Sequence, residues 1–459
     1  MNFKKIIFGL IAFLAGISFT LNEGMMIEEI LSIILFVYFV LDFIDSIGTN
    51  YNILDIPILL ALFQCILMPA VIYHVYNNDD LVIALNYNMG VSAETYYGFM
   101  FPAIVAMIIG MKLPPLFQAS YQKRFLLAID RVKQYLLGRD SIGVLLISIG
   151  VVSTIMKSFI GGQFEYIAYL FSLLLYVGVL YTYFSDHKQR MLYLNGGLVI
   201  IAAQSIAKGM FGELVFVLLL AVLLMLLGKK LSTSLKFGLA LVGFIAVLLL
   251  QSIKADYRAI AWRGEGGGEQ SNTGAFFSLI INRISEPGRF FDLTLMFPTV
   301  NRFNQGMIVS KVLEHVPSRA PFAEGETIFL SLAATFVPRI LWPDKPVSGG
   351  HLNMERFAGL KIEGYSMNIS PMGEAYGNFG VEGGIAFMLA YGLFFSILIV
   401  LLMNYVKKKP TLILWFPVLF INSIQIETDI LMCLNSLIKN MLFVAFCYWA
   451  ANRFLKLKL

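Results

Sequence analysis

The sequence predicts an all-α polytopic membrane protein with about twelve transmembrane helices and one large extracytoplasmic loop before the last three. Three observations carry that prediction. Apolar runs of roughly 17–25 residues with few charges recur along most of the chain, the length needed to cross the hydrocarbon core of a bilayer. Only 14% of the 459 residues are charged and 58% are hydrophobic, against about 25% charged in soluble domains; mean hydropathy is +0.77. Finally, one long, mostly polar segment, 254–382, interrupts the apolar pattern.

Hydropathy places the spans at roughly 6–21, 27–44, 56–76, 97–113, 141–157, 164–184, 191–207, 212–228, 235–253, 383–405, 411–426 and 435–453. The chain so divides into an N-terminal bundle of about nine helices (1–253), the loop (254–382), and three closing helices with a tail (383–459). The first run, behind Lys4 and Lys5, has the look of a signal peptide, but the many spans after it mark a retained first helix. The seventh and eighth are short and separated only by KGMFGE, so they read either as two crossings or as paired half-helices.

Orientation follows from the short Lys/Arg-rich segments: 112–140, 185–190, 229–236, 406–410, the tail Arg453–Lys458, and Lys4 with Lys5. Twelve spans put all of them on one side, which the positive-inside rule makes cytoplasmic. Both termini are then cytoplasmic and the long loop lies outside. The segment 42–55 falls on the cytoplasmic side although it contains no Lys or Arg. Within 112–140, Tyr121–Leu137 reads either as an amphipathic interfacial helix or as a plain basic connector. Inside the loop, Thr327–Trp342 is apolar but short for a crossing, and reads as a helix on or in the outer interface with Trp342 at headgroup level.

Several chemistries are excluded. Cys65, Cys433 and Cys447 all sit in apolar runs, which suggests neither a disulfide framework nor a zinc site. No GxxxxGK[ST] or HExxH pattern exists, and the four histidines are scattered. The excess of 34 Lys+Arg over 29 acids is small and sits at the ends of apolar runs, so nothing points to nucleic acid. Paired charges of the kind that mark ion-coupled transporters are few in the spans.

Arginine usage singles out the loop. It holds eight of the thirteen arginines; lysine outnumbers arginine 17 to 5 elsewhere, whereas the loop has 8 arginines to 4 lysines. These arginines either form salt bridges of a small subdomain or grip phosphate and carboxylate groups, whose oxygens match the guanidinium fork. Three motifs sharpen the second reading. In QSIKADYR, Lys254 and Arg258 are four apart on one helix face, placed to meet an anion at headgroup level or to flank a helix end. PRILWPDKP (Pro338–Pro346) is stiffened by three prolines around Arg339, Asp344 and Lys345, which suits either a diphosphate or a self-paired turn. In MGEAYGNFGVEGG (Met372–Gly384), glycines surround Glu374, Tyr376 and Asn378. Glu374 is the carboxylate best placed to take a proton from a sugar hydroxyl, or else to neutralise a loop arginine. EGGGE (Glu265–Glu269) reads as a flexible linker.

At K-x-x-x-R (254–258), PR-x-LWPDKP (338–346) and GEAYGNFG (373–380), and in its topology over nearly the whole length, the chain resembles the Wzy-type oligosaccharide repeat-unit polymerases of bacterial O-antigen, capsule and exopolysaccharide assembly. The resemblance implies a GT-C-like fold in the bacterial inner membrane and transfer of a growing glycan from undecaprenyl diphosphate to a new lipid-linked repeat unit. It implies Glu374, Arg339 and His351 as catalytic residues, with Glu374 the first choice of base and His351 the second. Lys254, Arg258, Arg283, Arg289 and Lys345 would bind the diphosphate, and Tyr376, Asn378 and Trp342 would position substrate and loop. With no DxD-type motif in the loop, arginine and lysine rather than a metal would stabilise the departing charge, and no cofactor is implied. Implied partners are undecaprenyl-diphosphate-linked oligosaccharides, the lipid bilayer, a chain-length regulator and a flippase of the same pathway. An O-antigen ligase-like transferase is the nearest alternative. A flippase of lipid-linked sugar fits a 129-residue loop poorly, and a dolichyl-phosphate-type mannosyltransferase would need its acidic motif in the short first outer loop, Asn22–Met26, although Asp79 and Asp80 stand in the second.

Overall fold

The computed structural model describes residues 3–20, 24–77, 82–83, 86–116, 121–157, 159–160, 163–263, 272–286, 288, 292–337, 341–346, 350–362, 367–457 and 459, and every regular element among them is helical. The chain opens with α1 (Phe3–Thr20), α2 (Ile27–Ser46), α3 (Asp55–Tyr76), α4 (Ala93–Leu116), α5 (Tyr121–Leu136), α6 (Ser141–Lys157), α7 (Gln163–Ser172) and α8 (Leu174–Phe184). Next come α9 (Arg190–Lys208), α10 (Gly212–Leu226) and α11 (Thr233–Arg263). The polar region folds as α12 (Asn272–Ser285), α13 (Leu293–Phe303), α14 (Gln305–His315), α15 (Glu326–Phe336) and α16 (His351–Ala358). α17 (Ser370–Val406), α18 (Pro410–Phe420) and α19 (Ile430–Phe454) close the chain.

Among the described residues, seven helices are long and apolar enough to cross a membrane: α3, α4, α7 with α8, α9, α11, α17 and α19. The count is eight if α5 and α6, bent by 96°, form one broken span. The protein is thus a helical membrane protein. Three of the other sequence spans have identifiable physical differences. Glu28, Glu29, Asp42 and Asp45 leave only the middle of α2 apolar. α10 is 15 residues long, and α18 breaks between a 3-10 turn and a five-residue α-helix that begins at Phe416. Of the two short spans in question, α9 has crossing length and α10 does not. The three cysteines are buried and free.

The centre of the bundle is the crossing of α4 with α17. A Cβ on Gly110 would lie 2.4 Å from the Leu389 carbonyl oxygen, and one on Gly392 would lie 2.3 Å from that of Met107. Only glycine on both helices lets the backbones approach this closely, the device by which apolar helices associate without a hydrophobic drive. Ser396 Oγ adds a bond to the Met111 carbonyl at 2.9 Å.

Contacts gather the basic segments at one end of this bundle. Lys4 pairs with Asp45 at 2.9 Å, Lys5 with Asp42 at 3.2 Å, and Lys112 with Asp55. Lys236 Nζ donates to the Asp45 carbonyl, and the Gly228 amide to that of Gly48 at 2.8 Å. The segment 42–55 therefore contributes acids to cations supplied by its neighbours. At the same end α5 forms with Phe125, Ala128, Ile129, Val132 and Leu136 buried along one face and Lys123, Arg131 and Lys133 exposed. That spacing is an apolar helical stripe, and the 96° turn into α6 lays α5 across the end of the bundle.

Candidate functional site

At the opposite end, the site begins with an interruption in α17. Gly380 has φ 70° and ψ −158°, outside the helical region, at a positive φ that glycine tolerates best. The break leaves carbonyls of the preceding turn free to accept from outside the helix. The Gly377 oxygen accepts from the Ala323 amide at 3.0 Å and the Asn378 oxygen from that of Glu324 at 2.9 Å. Asn378 Oδ1 takes the Gly325 amide at 3.1 Å. The approach to α15 is thereby tied to the first turns of α17.

This attachment holds a buried carboxyl. Glu374 is 0% exposed; its Oε1 accepts from the Thr327 hydroxyl at 3.1 Å and its Oε2 from the Ile430 amide at 3.0 Å. Thr327 Oγ1 accepts in turn from Asn378 Nδ2 at 2.7 Å, which also donates to the Glu374 carbonyl at 2.8 Å. Glu374 thus links α17, α15 and the start of α19, with both oxygens engaged.

Beside this network lies a cavity of about 340 Å³, within the range of small-molecule sites. Its wall includes Thr327, Asn353, Arg356 and Asp429, with Leu330, Leu352 and Leu431 as apolar surface. Asp429 is the N-cap of α19, with Oδ1 accepting from the Met432 amide at 2.7 Å. Burial pushes its carboxyl above the ordinary range. Arg356 donates to Glu326 at 2.7 Å, a hydrogen bond that holds the Glu326 carboxyl below its usual range.

A second cluster is electropositive. Lys254, buried near the end of α11, lies within electrostatic range of Arg302 on α13, Arg258 one turn along α11, and Glu427. Glu427 Oε1 accepts from Gln64 Nε2 at 2.8 Å. Gln64 sits in a π-helical turn of α3, Phe63–Leu67, a distortion common at functional sites. Buried amide oxygens of Gln64, Gln251 and Asn301, next to these groups along the chain, have no hydrogen-bond partner among the described residues. Glu427 and Asp429 are two residues apart, at most about 7 Å along the backbone, so one short segment serves both clusters.

Of the sequence-predicted residues, Lys254 and Arg258 come together, with Arg258 Nε also donating to the Gly209 carbonyl at the end of α9 at 3.0 Å. Glu374 and Asn378 join the carboxyl network. Arg283 instead donates to the Ser252 carbonyl at 3.1 Å and pairs with Asp256 at 3.3 Å; Asp256, two positions from Lys254, leaves α11 on another side. Lys345 Nζ donates to the carbonyls of Ala334 and Val337 at 2.7 and 3.0 Å, closing the C-terminus of α15. Half-buried Trp342 and exposed Asp344 belong to the turn after α15, whose helix ends at Phe336 rather than continuing to Trp342. His351 Nδ1 donates to the Ile362 carbonyl at 2.9 Å with its side chain exposed. Tyr376 is buried, its hydroxyl donating to the Val316 carbonyl at 3.3 Å and its ring packed against Phe99 and Phe322. Arg289, Arg339, the linker 265–269 and the pair Asp79–Asp80 lie outside the described residues. Sequence reasoning missed Arg302, Glu427, Asp429, Thr327 and Gln64. Only Asp429 had a local signal, an N-cap residue just before an apolar run.

A family model described as a domain of unknown function, DUF8712, matches residues 104–403. That is more than half of the chain, which therefore belongs to this family. No curated protein and no solved structure matches the chain.

Proposed function

We propose that this member of the DUF8712 family is a membrane glycosyltransferase that polymerises undecaprenyl-diphosphate-linked oligosaccharide repeat units into a bacterial surface polysaccharide. In this reading it spans the cell membrane about twelve times in a GT-C-like arrangement, with cytoplasmic termini and the 254–382 region outside. One observation carries the reading: Glu427 lies within electrostatic range of Lys254, which has Arg258 and Arg302 beside it, while Asp429, two residues on, lines a cavity. An anion and a hydroxyl-bearing group could thus be held side by side at a membrane surface.

The chemistry needs little more. Asp429 takes the proton of the acceptor hydroxyl; the oxygen forms a bond to the anomeric carbon as the bond from that carbon to the diphosphate oxygen breaks. The diphosphate leaves with the electron pair, and Lys254, Arg258 and Arg302 stabilise its growing charge. A carboxyl raised by burial is closer to the pKa that serves a base near neutrality. The base is assigned to Asp429 rather than Glu374 because Asp429 lines the cavity, whereas Glu374 lies behind Thr327 and holds the start of α19. Glu374 is thus a positioning residue.

Deletion of the gene in its native host tests the proposal. Accumulation of single lipid-linked repeat units, reversed by the wild-type chain, is expected. Full-length polymer left on its lipid carrier would instead favour the ligase alternative, and unchanged surface glycan would overturn both.

A further inference from the structure

A site at the basic end, far along the chain from the clusters above, is unused by that chemistry. Where α8, α9 and α10 end together, a cavity of about 540 Å³ opens with Lys133, Arg190 and Lys229 around it. Its walls are apolar, with Phe184, Leu194 and Met225 among them. Leu194 and Met225 also line a narrow apolar crevice that runs between the same three helices, past Leu198, Ile201, Val217 and Ala221. One feature thus has a cationic mouth and a hydrocarbon-lined continuation. At about 60 Å³ the crevice engulfs only a few methylenes, so a chain in it would keep its outer side toward the bilayer.

The charges at the mouth are available. Lys133 has an i,i+3 partner in Asp130 at 4.0 Å, whereas neither Arg190 nor Lys229 has an acidic partner within salt-bridge distance among the described residues. Lys229 lies over the Tyr183 ring, 5.5 Å from its centroid. α9, whose first residue is Arg190, is one of the candidate spans. The mouth therefore stands where a membrane helix leaves the apolar layer, beside the amphipathic α5 that supplies Lys133.

We infer that this slot binds an anionic phospholipid, with the phosphate at Lys133, Arg190 and Lys229 and one acyl chain along the α9–α10 crevice. Charge complementarity selects the headgroup, since each Lys or Arg near a membrane surface favours an anionic lipid by about a factor of five. The continuous apolar crevice selects a lipid over a free phosphate. Such a lipid would fill the junction of α8, α9 and α10 and fix the angle at which α9 enters the bundle.

The test uses the full-length chain in detergent, with native mass spectrometry and thermal unfolding in the presence of phosphatidylglycerol, phosphatidylcholine or inorganic phosphate. Wild type is expected to retain phosphatidylglycerol in preference to phosphatidylcholine and to unfold at higher temperature only with the former. The triple variant K133Q/R190Q/K229Q should lose about a hundredfold in that preference. Ala221→Phe, which fills the crevice without touching a charge, should also displace the lipid. Equal retention of the two lipids by wild type would overturn the inference, as would an equal stabilisation by phosphate alone. If a variant fails to fold, amine labelling of wild type decides: phosphatidylglycerol must protect Lys133 and Lys229 relative to Lys123, and lack of protection overturns the site.

Discussion

Thr327→Val is the most direct perturbation of the buried carboxyl network, because valine keeps the shape of threonine and removes only its hydroxyl. That hydroxyl accepts from Asn378 at 2.7 Å and donates to Glu374 at 3.1 Å. Asn378 Nδ2 keeps a second acceptor in the Glu374 carbonyl at 2.8 Å, so its loss is partial. Glu374 Oε1 has no substitute donor in the network, and a buried acceptor left unsatisfied costs about 1–3 kcal/mol. The methyl group that replaces the hydroxyl returns roughly 0.8 kcal/mol through burial. With about 0.5 kcal/mol added for the partial loss at Asn378, the expected net destabilisation is roughly 0.7–2.7 kcal/mol. Thr327→Ser is the control, since it keeps both hydrogen bonds and loses one methyl group, at about 0.8 kcal/mol. Apparent Tm in one detergent at one scan rate should fall in the order wild type, serine, valine, with valine a few degrees below wild type. A valine variant at least as stable as the serine variant would refute the hydrogen-bond account of how α15, α17 and α19 are held together.

Other outcomes follow from the same structure. Asp429→Asn should abolish polymer while leaving the amount of membrane-inserted protein within about twofold, whereas Glu374→Ala should lower that amount through two lost hydrogen bonds of about 1 kcal/mol or more each; quantitative blotting beside glycan gels separates the two. In reconstituted vesicles the rate should rise with pH through a midpoint above the ordinary aspartate value of about 4, because burial raises the Asp429 carboxyl. The stability conferred by that raised value is full below the ordinary pKa and is lost as pH rises through the raised one, so melting curves should move opposite to the rate. Lys254→Gln combined with Arg302→Gln should cut polymer formation at least tenfold without changing melting temperature, read by gel and by thermal scan. Gly392→Val should prevent accumulation of folded protein, since its Cβ would start 2.3 Å from the Met107 carbonyl oxygen and overpacking costs about 1–3 kcal/mol or more; normal accumulation would show that the crossing is looser than described.

Elements with a strong local pattern were legible in the sequence. The stripe Phe125, Ala128, Ile129, Val132 and Leu136 decides between the two readings of the basic connector, because only a helix brings those residues onto one face. The glycine-rich segment around Glu374 shows why the site was harder to read. There, glycine spacing suggested close approach to a ligand, but a Cβ on Gly377 would meet the Phe357 ring at 2.6 Å, so the small residue serves helix packing. Arginine bias was likewise ambiguous: Arg258 stands beside Lys254 and Arg302 yet bonds to the carbonyl at a helix end, and Arg283 is taken up by Asp256 and a carbonyl. The cation-free segment 42–55 was unreadable locally because Lys4, Lys5, Lys112 and Lys236 come to it from three other helices. Arg302, Glu427 and Asp429 share that property, as members of a constellation made only by tertiary folding.

The break at Gly380 divides α17 into two mechanical parts. Residues 381–406 rise about 39 Å at 1.5 Å each, enough for a hydrocarbon core of about 30 Å with a modest tilt. The ten residues before the break are not needed for crossing. A rod that spans a bilayer must follow changes in its thickness by tilting. The segment before the break is pinned by Ala323, Glu324, Gly325 and Ile430 and also packs on the rod itself, with the Phe379 and Phe387 rings 5.7 Å apart and a Cβ on Gly384 meeting the Ala375 carbonyl at 3.3 Å, so a tilt of the rod presses directly on it. The carboxyl site, held between that segment and the start of α19, is in that sense coupled to the thickness of the membrane that carries it.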